Sequence, residues 1–332
     1  MKIAISGFGR IGRNVLRVML QDKKFLKKHS VVAINIGPAD PATIAHSFKY
    51  DTVLGIYPES VKLVKDSLVI GKQTIKIVAE KDPEKLPWKK LKIDWVIESS
   101  GKFTKKSDAQ KHSKAGAKRV LISAPSQDAD FTCIMGVNQH EYNPKKDVII
   151  SAGSCTTNAL VPVLKVVQDT FGIESAYMTT VHAYTNNQVL LDLEGSDLRR
   201  ARAAALNIIP TTTGAMKVVG TVLPELAGKI EGCSLRVPVA KVSLIDLSFI
   251  AQKPITSKTI HAALQKAAQG QLKNILALTD EPLVSTDFSQ NSNSVIIDQQ
   301  LTAVTGTLGK IFGWYDNEWG YSCRLKDIVA ML

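Results

Sequence analysis

A cysteine with polar neighbours is the first feature of the sequence that is suited to chemistry. Cys155 lies in the segment Ser154-Cys155-Thr156-Thr157-Asn158, between an apolar stretch typical of a strand and a stretch with helical spacing. A thiol at a helix N-terminus is close to backbone N–H donors and to the positive end of the helix dipole, which both favour the thiolate. The thiolate is the nucleophilic form. A lone cysteine is more often a buried packing residue, but four polar neighbours are unusual for one, and the pattern predicts a nucleophile.

A histidine and a group of hydroxyl and guanidinium side chains follow the cysteine. His182 ends a predicted strand, which we place on the same sheet as the strand before Cys155, and it is a suitable base. From spacing alone, a structural histidine explains it equally well. The downstream arginines and the Thr-Gly turn suit phosphate oxygens, which accept forked hydrogen bonds, although a surface salt-bridge cluster also explains some of the arginines. This downstream group comprises Arg199, Arg200, Arg202, Thr211, Thr212, Thr213, Gly214 and Arg236.

A glycine-rich turn near the N-terminus predicts a dinucleotide site. Gly7, Gly9 and Gly12 form a GxGxxG pattern between a predicted strand and a predicted helix. The glycines permit a tight turn and close approach of the backbone to a pyrophosphate, and the helix N-terminus supplies N–H donors. The pattern alone is weak, but the alternating strands and helices that follow strengthen it. An acidic residue that binds the ribose is expected about 20 residues further on. Ile36 occupies that place, so the choice between NAD and NADP stays open.

The order of apolar runs predicts an α/β protein with two domains. Over residues 1–153, strand-like runs alternate with amphipathic helical stretches, which indicates a Rossmann-like, doubly wound parallel sheet that binds a dinucleotide. Residues 154–316 contain longer alternating strands with helices between them, typical of an α+β catalytic domain with a mostly antiparallel sheet. The segment 317–332 has helical spacing, and we expect it to complete the first domain. The length of 332 residues is sufficient for two cores.

The composition argues against several other classes of protein. No apolar run approaches the roughly 20 residues that span a bilayer, and no signal-peptide layout is present, so we expect a cytoplasmic protein. The four cysteines and six histidines are scattered, so neither a disulfide framework nor a metal site is predicted. The net charge of +12 identifies no partner, because the lysines occur as dispersed pairs without interleaved aromatic residues. Nucleic acid is not required by any of these features.

These segments together resemble the phosphorylating glyceraldehyde-3-phosphate dehydrogenase family of the bacterial and eukaryotic type, and the resemblance covers the whole chain. Eight blocks in the same order carry it, among them the glycine turn and the segments around the cysteine and the histidine. The other blocks are Lys49-Tyr50-Asp51, residues 197–204, residues 207–215, Leu235-Arg236-Val237-Pro238 and residues 314–320.

The resemblance implies a reaction and a catalytic pair. Cys155 attacks the aldehyde of glyceraldehyde 3-phosphate to give a thiohemiacetal, and His182 acts as the base. Hydride transfer to NAD leaves a thioester, which inorganic phosphate converts reversibly to 1,3-bisphosphoglycerate, a step of glycolysis and gluconeogenesis.

The resemblance also implies binding roles for residues at matching positions. The residues implied for the incoming phosphate are Ser154, Thr156, Thr213 and Gly214. Those implied for the phosphate of the substrate are Thr185, Arg200 and Arg236. Those implied for the cofactor are Gly7, Gly9, Arg10, Ile11, Gly12, Lys81, Ser123 and Asn317.

Family members are homotetramers in which the segment 182–204 reaches a neighbouring subunit's cofactor, so a homotetramer is expected here. Two departures concern the cofactor. Lys81 replaces a usual arginine beside the adenine, and Ile36 replaces the aspartate of NAD-specific members. Leu193 is of the NAD-favouring kind, and Glu194 adds a carboxylate that would repel a 2′-phosphate if it reaches across the interface. The expected cofactor is therefore NAD, with NADP as an open alternative.

Two other functions fit parts of the sequence. The sister enzyme that oxidises erythrose 4-phosphate shares the cysteine, the histidine and the glycine turn. It differs in the regions 183–188 and 210–215, where this chain keeps glyceraldehyde-type residues. A basic dinucleotide-fold protein that binds RNA or a cell-surface partner is the other alternative, and the intact Cys155 and His182 make that a secondary role at most.

Overall fold

The computed structural model describes residues 1–331, which form two compact units. The first unit consists of Met1–Cys133, His140–Gly153 and the C-terminal residues from Ser322 onward. The second consists of Ile134–Gln139 and Ser154–Tyr321. Within residues 1–331, no helix combines the length and the apolar character needed to cross a bilayer.

A nine-stranded sheet organises the first unit. Its order is β3-β4-β5-β2-β1-β6-β7-β9-β8, and all neighbours are parallel except at the β3-β4-β5 edge. The strands are β1 (Lys2–Ser6), β2 (Ser30–Asn35), β3 (Val61–Val64), β4 (Ser67–Ile70), β5 (Gln73–Val78), β6 (Trp95–Glu98), β7 (Arg119–Ile122), β8 (Phe131–Thr132) and β9 (Ile149–Ser151). The helices are α1 (Arg10–Gln21), α2 (Lys23–Leu26), α3 (Pro41–Lys49), α4 (Trp88–Leu91) and α5 (Lys106–Lys114).

The central strands of this sheet are apolar on both faces because helices cover both. All four residues of β6 are buried, as are the last four of β1. This is the pattern of a doubly wound parallel sheet, and that prediction is confirmed. The antiparallel β3-β4-β5 edge was not predicted, since β3 is mostly exposed and its residues lack a clear alternation.

A seven-stranded, mostly antiparallel sheet organises the second unit, as predicted. Its order is β11-β12-β10-β13-β16-β15-β14, with parallel pairing only between β10 and β12 and between β14 and β15. The strands are β10 (Ile173–Ala183), β11 (Ile209–Thr211), β12 (Ile230–Val237), β13 (Ser243–Ala251), β14 (Leu276–Thr279), β15 (Val295–Thr305) and β16 (Leu308–Tyr315). The helices are α6 (Cys155–Phe171), α7 (Ala215–Val222), α8 (Ser257–Gln269) and the start of α9 (Trp319–Met331), whose residues from Ser322 onward belong to the first unit.

One face of the second sheet packs against α6 and α8. The strand β13 alternates between buried and half-buried residues, and its buried side chains Leu247 and Phe249 join Leu160 and Leu164 of α6 in a single core. Buried side chains recur at every second residue on β13 and at helical spacing on α6. One apolar layer between the strand and the helix accounts for both patterns.

One prediction about this sheet is wrong. We placed the strand that ends at His182 on the same sheet as the strand before Cys155. That preceding strand, β9, belongs to the nine-stranded sheet, whereas β10 belongs to the seven-stranded sheet. Strand β9 is a short apolar run and β10 is a long strand of mixed composition, and neither pattern specifies which strand is its partner.

Candidate active site

Cys155 is the first residue of α6, and the local sequence explains why the helix begins there. The preceding residue, Ser154, caps the helix: its hydroxyl accepts a hydrogen bond from the backbone N–H of Thr157 at 3.1 Å. The Thr157 hydroxyl in turn accepts from the Ser154 N–H at 2.5 Å. This reciprocal capping box fixes the start of the helix. Cys155 is thereby held at the helix N-terminus, half-buried.

His182 approaches Cys155 from the end of β10. Its Nε2 lies 3.5 Å from the Cys155 Sγ, within hydrogen-bonding distance for sulfur. The ring is almost fully buried. On the other side of the ring, Nδ1 lies 2.6 Å from the carbonyl oxygen of Ala183 and 2.6 Å from Nη1 of Arg236. The structure therefore brings a thiol and a guanidinium to opposite nitrogens of one imidazole.

The electrostatics of this group favour neutral partners before a substrate binds. Burial raises the pKa of the Cys155 thiol, and the Arg236 guanidinium opposes that rise because it favours the thiolate. Burial and the positive charge of Arg236 lower the pKa of His182 to about 3. The helix N-terminus alone predicts a lowered thiol pKa, so here burial outweighs it. The imidazole is consequently a neutral base at physiological pH.

A second layer of hydrogen bonds surrounds the pair. The Tyr315 hydroxyl lies 3.0 Å from the Thr156 hydroxyl and 2.8 Å from that of Thr180, and its ring meets the His182 ring edge-on at a centroid distance of 6.0 Å. Sequence reasoning assigned no role to Tyr315, although it lies in one of the blocks that carry the family resemblance. Its contacts tie α6 and β10 together and fix the orientation of the imidazole.

Asn317, the predicted cofactor residue of the second unit, is also held in place. The Ser243 hydroxyl donates to its Oδ1 at 3.2 Å and accepts from the backbone N–H of Ala183 at 3.1 Å. With Oδ1 so engaged, the amide nitrogen of this buried side chain is directed to other partners. Nothing in the local sequence around Ser243 pointed to this role.

The predicted phosphate-binding residues differ in how they are engaged. The Arg236 Nε is buried without a hydrogen-bond partner among the described residues. Arg200 is half-exposed and its Nε donates to Asp197 at 2.6 Å. The Thr185 hydroxyl donates to Asn187 at 2.6 Å. Thr213 and Gly214 directly precede α7, and Gly214 is its N-cap without a side chain to cap it.

The first unit contains a cavity of about 500 Å³ at the glycine turn. It brings together the predicted residues Gly7, Gly9 and Lys81 with Ile36 and Ser100. A Cβ on Gly7 would lie 2.3 Å from the backbone nitrogen of Ser100, and Gly7 has φ of +89°, so only glycine fits there. The predicted residues Arg10, Ile11, Gly12 and Ser123 do not line this cavity.

The N-terminus of α1 adjoins this cavity and suits an anionic group. Gly9, the residue before the helix, has no side chain to cap it, and an uncapped helix N-terminus is a favourable site for a pyrophosphate. The Arg10 guanidinium forms an ion pair with Asp51, whose carboxylate is almost fully buried. Burial alone raises the pKa of Asp51, but hydrogen bonds from Leu54 and Val53 together with Arg10 hold it below its usual value. The glycine turn and this helix end thus fit a dinucleotide.

Comparisons with known proteins agree over the whole chain. The profile described as "Glyceraldehyde 3-phosphate dehydrogenase, NAD binding domain" matches residues 1–106, and the profile described as "Glyceraldehyde 3-phosphate dehydrogenase, C-terminal domain" matches residues 154–317. A glyceraldehyde-3-phosphate dehydrogenase of Geobacillus stearothermophilus is 50% identical over 100% of this chain and 98% of its own length.

Two further relatives show the same coverage. The glyceraldehyde-3-phosphate dehydrogenase 1 of Bacillus subtilis is 49% identical, and the glyceraldehyde-3-phosphate dehydrogenase 2 of Streptomyces avermitilis is 48% identical, each over 100% of this chain and 98% of its own length. The two profile matches, the full-length identities and the two-sheet fold agree. The chain belongs to the glyceraldehyde 3-phosphate dehydrogenase family of NAD-dependent oxidoreductases that act on an aldehyde.

Proposed function

We propose that this protein converts glyceraldehyde 3-phosphate, inorganic phosphate and NAD to 1,3-bisphosphoglycerate and NADH, through a thioester on Cys155. The observation that carries this proposal is the 3.5 Å approach of the Cys155 Sγ to the His182 Nε2 at the start of α6. A nucleophile within reach of a base that is itself oriented by a third group is the arrangement that covalent catalysis requires. The relatives reported above lend support to this substrate and none to erythrose 4-phosphate.

His182 acts first as a base. For this role its hydrogen is on Nδ1, where the Ala183 carbonyl accepts it at 2.6 Å, and the Nε2 lone pair faces the thiol. Nε2 takes the thiol proton while the sulfur electron pair forms a bond to the aldehyde carbon. The aldehyde oxygen, which gains the carbonyl π pair, then takes that proton from Nε2. The product on Cys155 is a thiohemiacetal.

The same nitrogen acts again in the oxidation. NAD, when bound, supplies the acceptor for the hydride that leaves the thiohemiacetal carbon. His182 removes the hydroxyl proton, and the carbon–oxygen double bond of a thioester forms. A phosphate oxygen then attacks the thioester carbon, the carbon–sulfur bond breaks, and the sulfur leaves as a thiolate that Arg236 stabilises. His182 returns its proton to this thiolate, the attacking hydrogen phosphate releases its own proton to solvent, and each step can also run in reverse.

Two groups of donors are available for two phosphates. Arg236 has a buried guanidinium nitrogen without a partner among the described residues, and a buried unpaired donor is costly unless a ligand satisfies it. We assign Arg236, Arg200 and Thr185 to the phosphate of the aldehyde. We assign the N-terminus of α7, at Thr213 and the N-cap residue Gly214, to the attacking phosphate together with Ser154 and Thr156.

The end of β2 bears on whether NADP is accepted beside NAD. Ile36 lines the cavity and is 7% exposed, so no carboxylate of this residue receives the ribose hydroxyls or repels a 2′-phosphate. We infer that NAD is the main cofactor and that NADP is accepted with measurable efficiency. The ratio of kcat/KM for the two cofactors tests this inference, and an NADP value equal to the NAD value would overturn the preference.

The segment 190–208 supports assembly into a tetramer. Its leucines are exposed to an unusual degree, with Leu190 at 81%, Leu198 at 82% and Leu206 at 79%. Several highly exposed large apolar residues within one segment are typical of an interface. We propose that a second copy of this chain covers them. Light scattering of the purified protein is expected to give four times the chain mass of 36.1 kDa, and Leu198→Asp is expected to give smaller species.

The central test follows NADH absorbance with glyceraldehyde 3-phosphate and phosphate, in the wild type and in Cys155→Ser. We expect the variant to lose at least about 1,000-fold in kcat, since a hydroxyl is a far weaker nucleophile than a thiolate. Cys233→Ser is the matched control, because that thiol lies on β12 near Thr179 and has no proposed role. Faster turnover of erythrose 4-phosphate, or substantial turnover by Cys155→Ser, would contradict the proposal.

A further inference from the structure

A chain of buried polar side chains crosses the first unit outside the residues assigned so far. The Trp88 indole N–H donates to His112 Nδ1 at 3.0 Å, and His112 Nε2 lies 2.9 Å from Glu98 Oε2. An indole nitrogen only donates, so Nδ1 must accept and the imidazole hydrogen is on Nε2, which donates to Glu98. All three side chains are at most 2% exposed. The two partners leave His112 a single tautomer.

The chain continues from Glu98 to a turn of the backbone. Glu98 Oε1 accepts from the backbone N–H of Ser100 at 2.8 Å and also from the Ser100 hydroxyl. The Ser100 Oγ accepts from the backbone N–H of Lys102 at 3.1 Å. Every partner of Glu98 here is a donor, which suits a carboxylate. The shape of the turn at residues 99–102 is thus set by a buried acid.

This turn is a wall of the cavity at the glycine turn. Ser99, Ser100, Lys102 and Phe103 line it. The Ser99 hydroxyl donates to the carbonyl oxygen of Gly7 at 2.7 Å, so the wall and the glycine turn are joined. The Phe103 ring also meets the His112 ring edge-on at 6.3 Å. His112 therefore contacts the wall by two routes, although it does not line the cavity itself.

We propose that Trp88, His112 and Glu98 are positioning residues for the cofactor site and set its affinity without touching the cofactor. The proposal rests on the proposed function in one respect, namely that this cavity holds the cofactor. A turn held by charge-assisted hydrogen bonds keeps its shape in the absence of ligand, so less freedom is lost on binding. Loss of the His112 donor leaves a buried carboxylate oxygen unpaired, and the turn must rearrange to satisfy it.

The test measures equilibrium binding of NAD to the full-length protein by calorimetry. We expect His112→Leu to raise the Kd for NAD about 10-fold, because Glu98 loses its His112 donor and the Trp88 indole loses its acceptor. His112→Gln is expected to restore binding to within about threefold, because one amide both accepts from Trp88 and donates to Glu98. The KM for NAD should follow the Kd, while kcat and the KM for the aldehyde change less than about twofold.

His29→Leu is the matched control, since His29 is a buried histidine of the same unit that does not line the cavity. It should leave the Kd for NAD unchanged. Hydrogen exchange of the Ser100 and Lys102 amides should accelerate in His112→Leu and stay unchanged in the control. If His112→Leu does not fold, Trp88→Phe replaces it: the ring packing is kept, the indole donor is lost, and the Kd should rise about two- to threefold.

Three outcomes would overturn the positioning role. These are an unchanged Kd in folded His112→Leu or Trp88→Phe, a loss of kcat without a change in Kd, or no rescue by glutamine. Failure of the proposed function is distinguishable from all three. A wild type that binds NAD but does not oxidise glyceraldehyde 3-phosphate would contradict the reaction and leave the comparison of Kd values valid.

Discussion

The two units each bury a histidine, and the two histidines differ in their partners. His112 in the first unit accepts from an indole on one nitrogen and donates to a carboxylate on the other. His182 in the second unit faces a thiol on one nitrogen, and on the other it faces both a carbonyl acceptor and a guanidinium donor. Both rings are at most 4% exposed.

This difference shows that burial alone does not decide what a histidine does. The partners of His112 specify one tautomer, so its hydrogen has a fixed place and the ring can only hold its neighbours. The partners of His182 admit a hydrogen on either nitrogen, so the ring can accept a proton from sulfur and return it to oxygen. A histidine whose partners conflict is the better candidate for catalysis, and one whose partners agree is the better candidate for structure.

The variant with the largest expected effect removes the imidazole of His182, which is the proposed proton acceptor. We expect His182→Asn to lower kcat/KM by about 10²- to 10⁴-fold, the usual contribution of a positioned base. His112→Gln should leave kcat within about twofold. Steady-state rates of NADH formation measure both variants, and a loss below tenfold in His182→Asn would remove the distinction between the two histidines.

The next largest effect is expected from a change at Arg236. Its Nη1 faces His182 Nδ1, and its Nε is buried without a hydrogen-bond partner among the described residues. We expect Arg236→Gln to raise the KM for glyceraldehyde 3-phosphate about 10- to 100-fold. The KM for unphosphorylated glyceraldehyde should change little. Arg199→Gln is the control, as an exposed arginine of the neighbouring cluster. An equal rise in KM for both aldehydes in Arg236→Gln would argue against a contact between Arg236 and the substrate phosphate.

In the first unit, the corresponding variants change the affinity for the cofactor and leave the chemical step unchanged. Ile36→Asp should lower kcat/KM for NADP about 10-fold relative to NAD, because a carboxylate near the ribose repels a 2′-phosphate. Ile36→Asn has the same shape without the charge and should shift the ratio much less. If both variants shift the ratio equally, charge at this position is not the cause.

The last test concerns stability in acid. The pKa of His182 is lowered to about 3 in the folded protein, against about 6.5 in an unfolded chain. Below pH 6.5 the unfolded chain binds a proton that the folded protein does not, so this contribution is full above pH 6.5 and declines as the pH falls towards 3. The slope is at most about 1.4 kcal/mol per pH unit.

Urea unfolding at a series of pH values from about pH 7 to about pH 4 measures this slope. In His182→Asn the free energy of unfolding should fall less steeply as the pH is lowered. The difference in slope corresponds to at most about one bound proton, or about 1.4 kcal/mol per pH unit. His140→Asn, which replaces an exposed histidine, should keep the wild-type slope. A steeper slope in His182→Asn would mean that the imidazole is protonated in the folded state.

Local patterns predicted much of the fold. Strand β1 precedes the glycine turn and helix α8 lies between strands of the second sheet, as the periodicity predicts, and α8 also has a capping box at Thr256. The β3-β4-β5 edge was missed because β3 is largely solvent-exposed, and the alternation of β4 and β5 is confined to short runs of four and six residues. The start of α6 was expected several residues later than Cys155, since polar residues at a capped helix start do not contribute to hydrophobic spacing.

The site itself was only partly predictable. Cys155 and His182 were recognisable by residue type and neighbours. The contacts of Tyr315 with Thr156 and of Ser243 with Asn317 join residues 159 and 74 positions apart, and no local pattern reports on such pairs. The raised pKa of the Cys155 thiol also depends on burial that only the packed structure provides.

The position of His182 within its sheet has a consequence for inactivation. Strand β10 pairs along its length with β12 on one side and β13 on the other, so His182 is near the end of an interior strand. An interior strand opens only when its neighbours separate, so its amides should be among the slowest to exchange with solvent. Activity should therefore vanish on heating together with the melting of the seven-stranded sheet, and not in an earlier, local event.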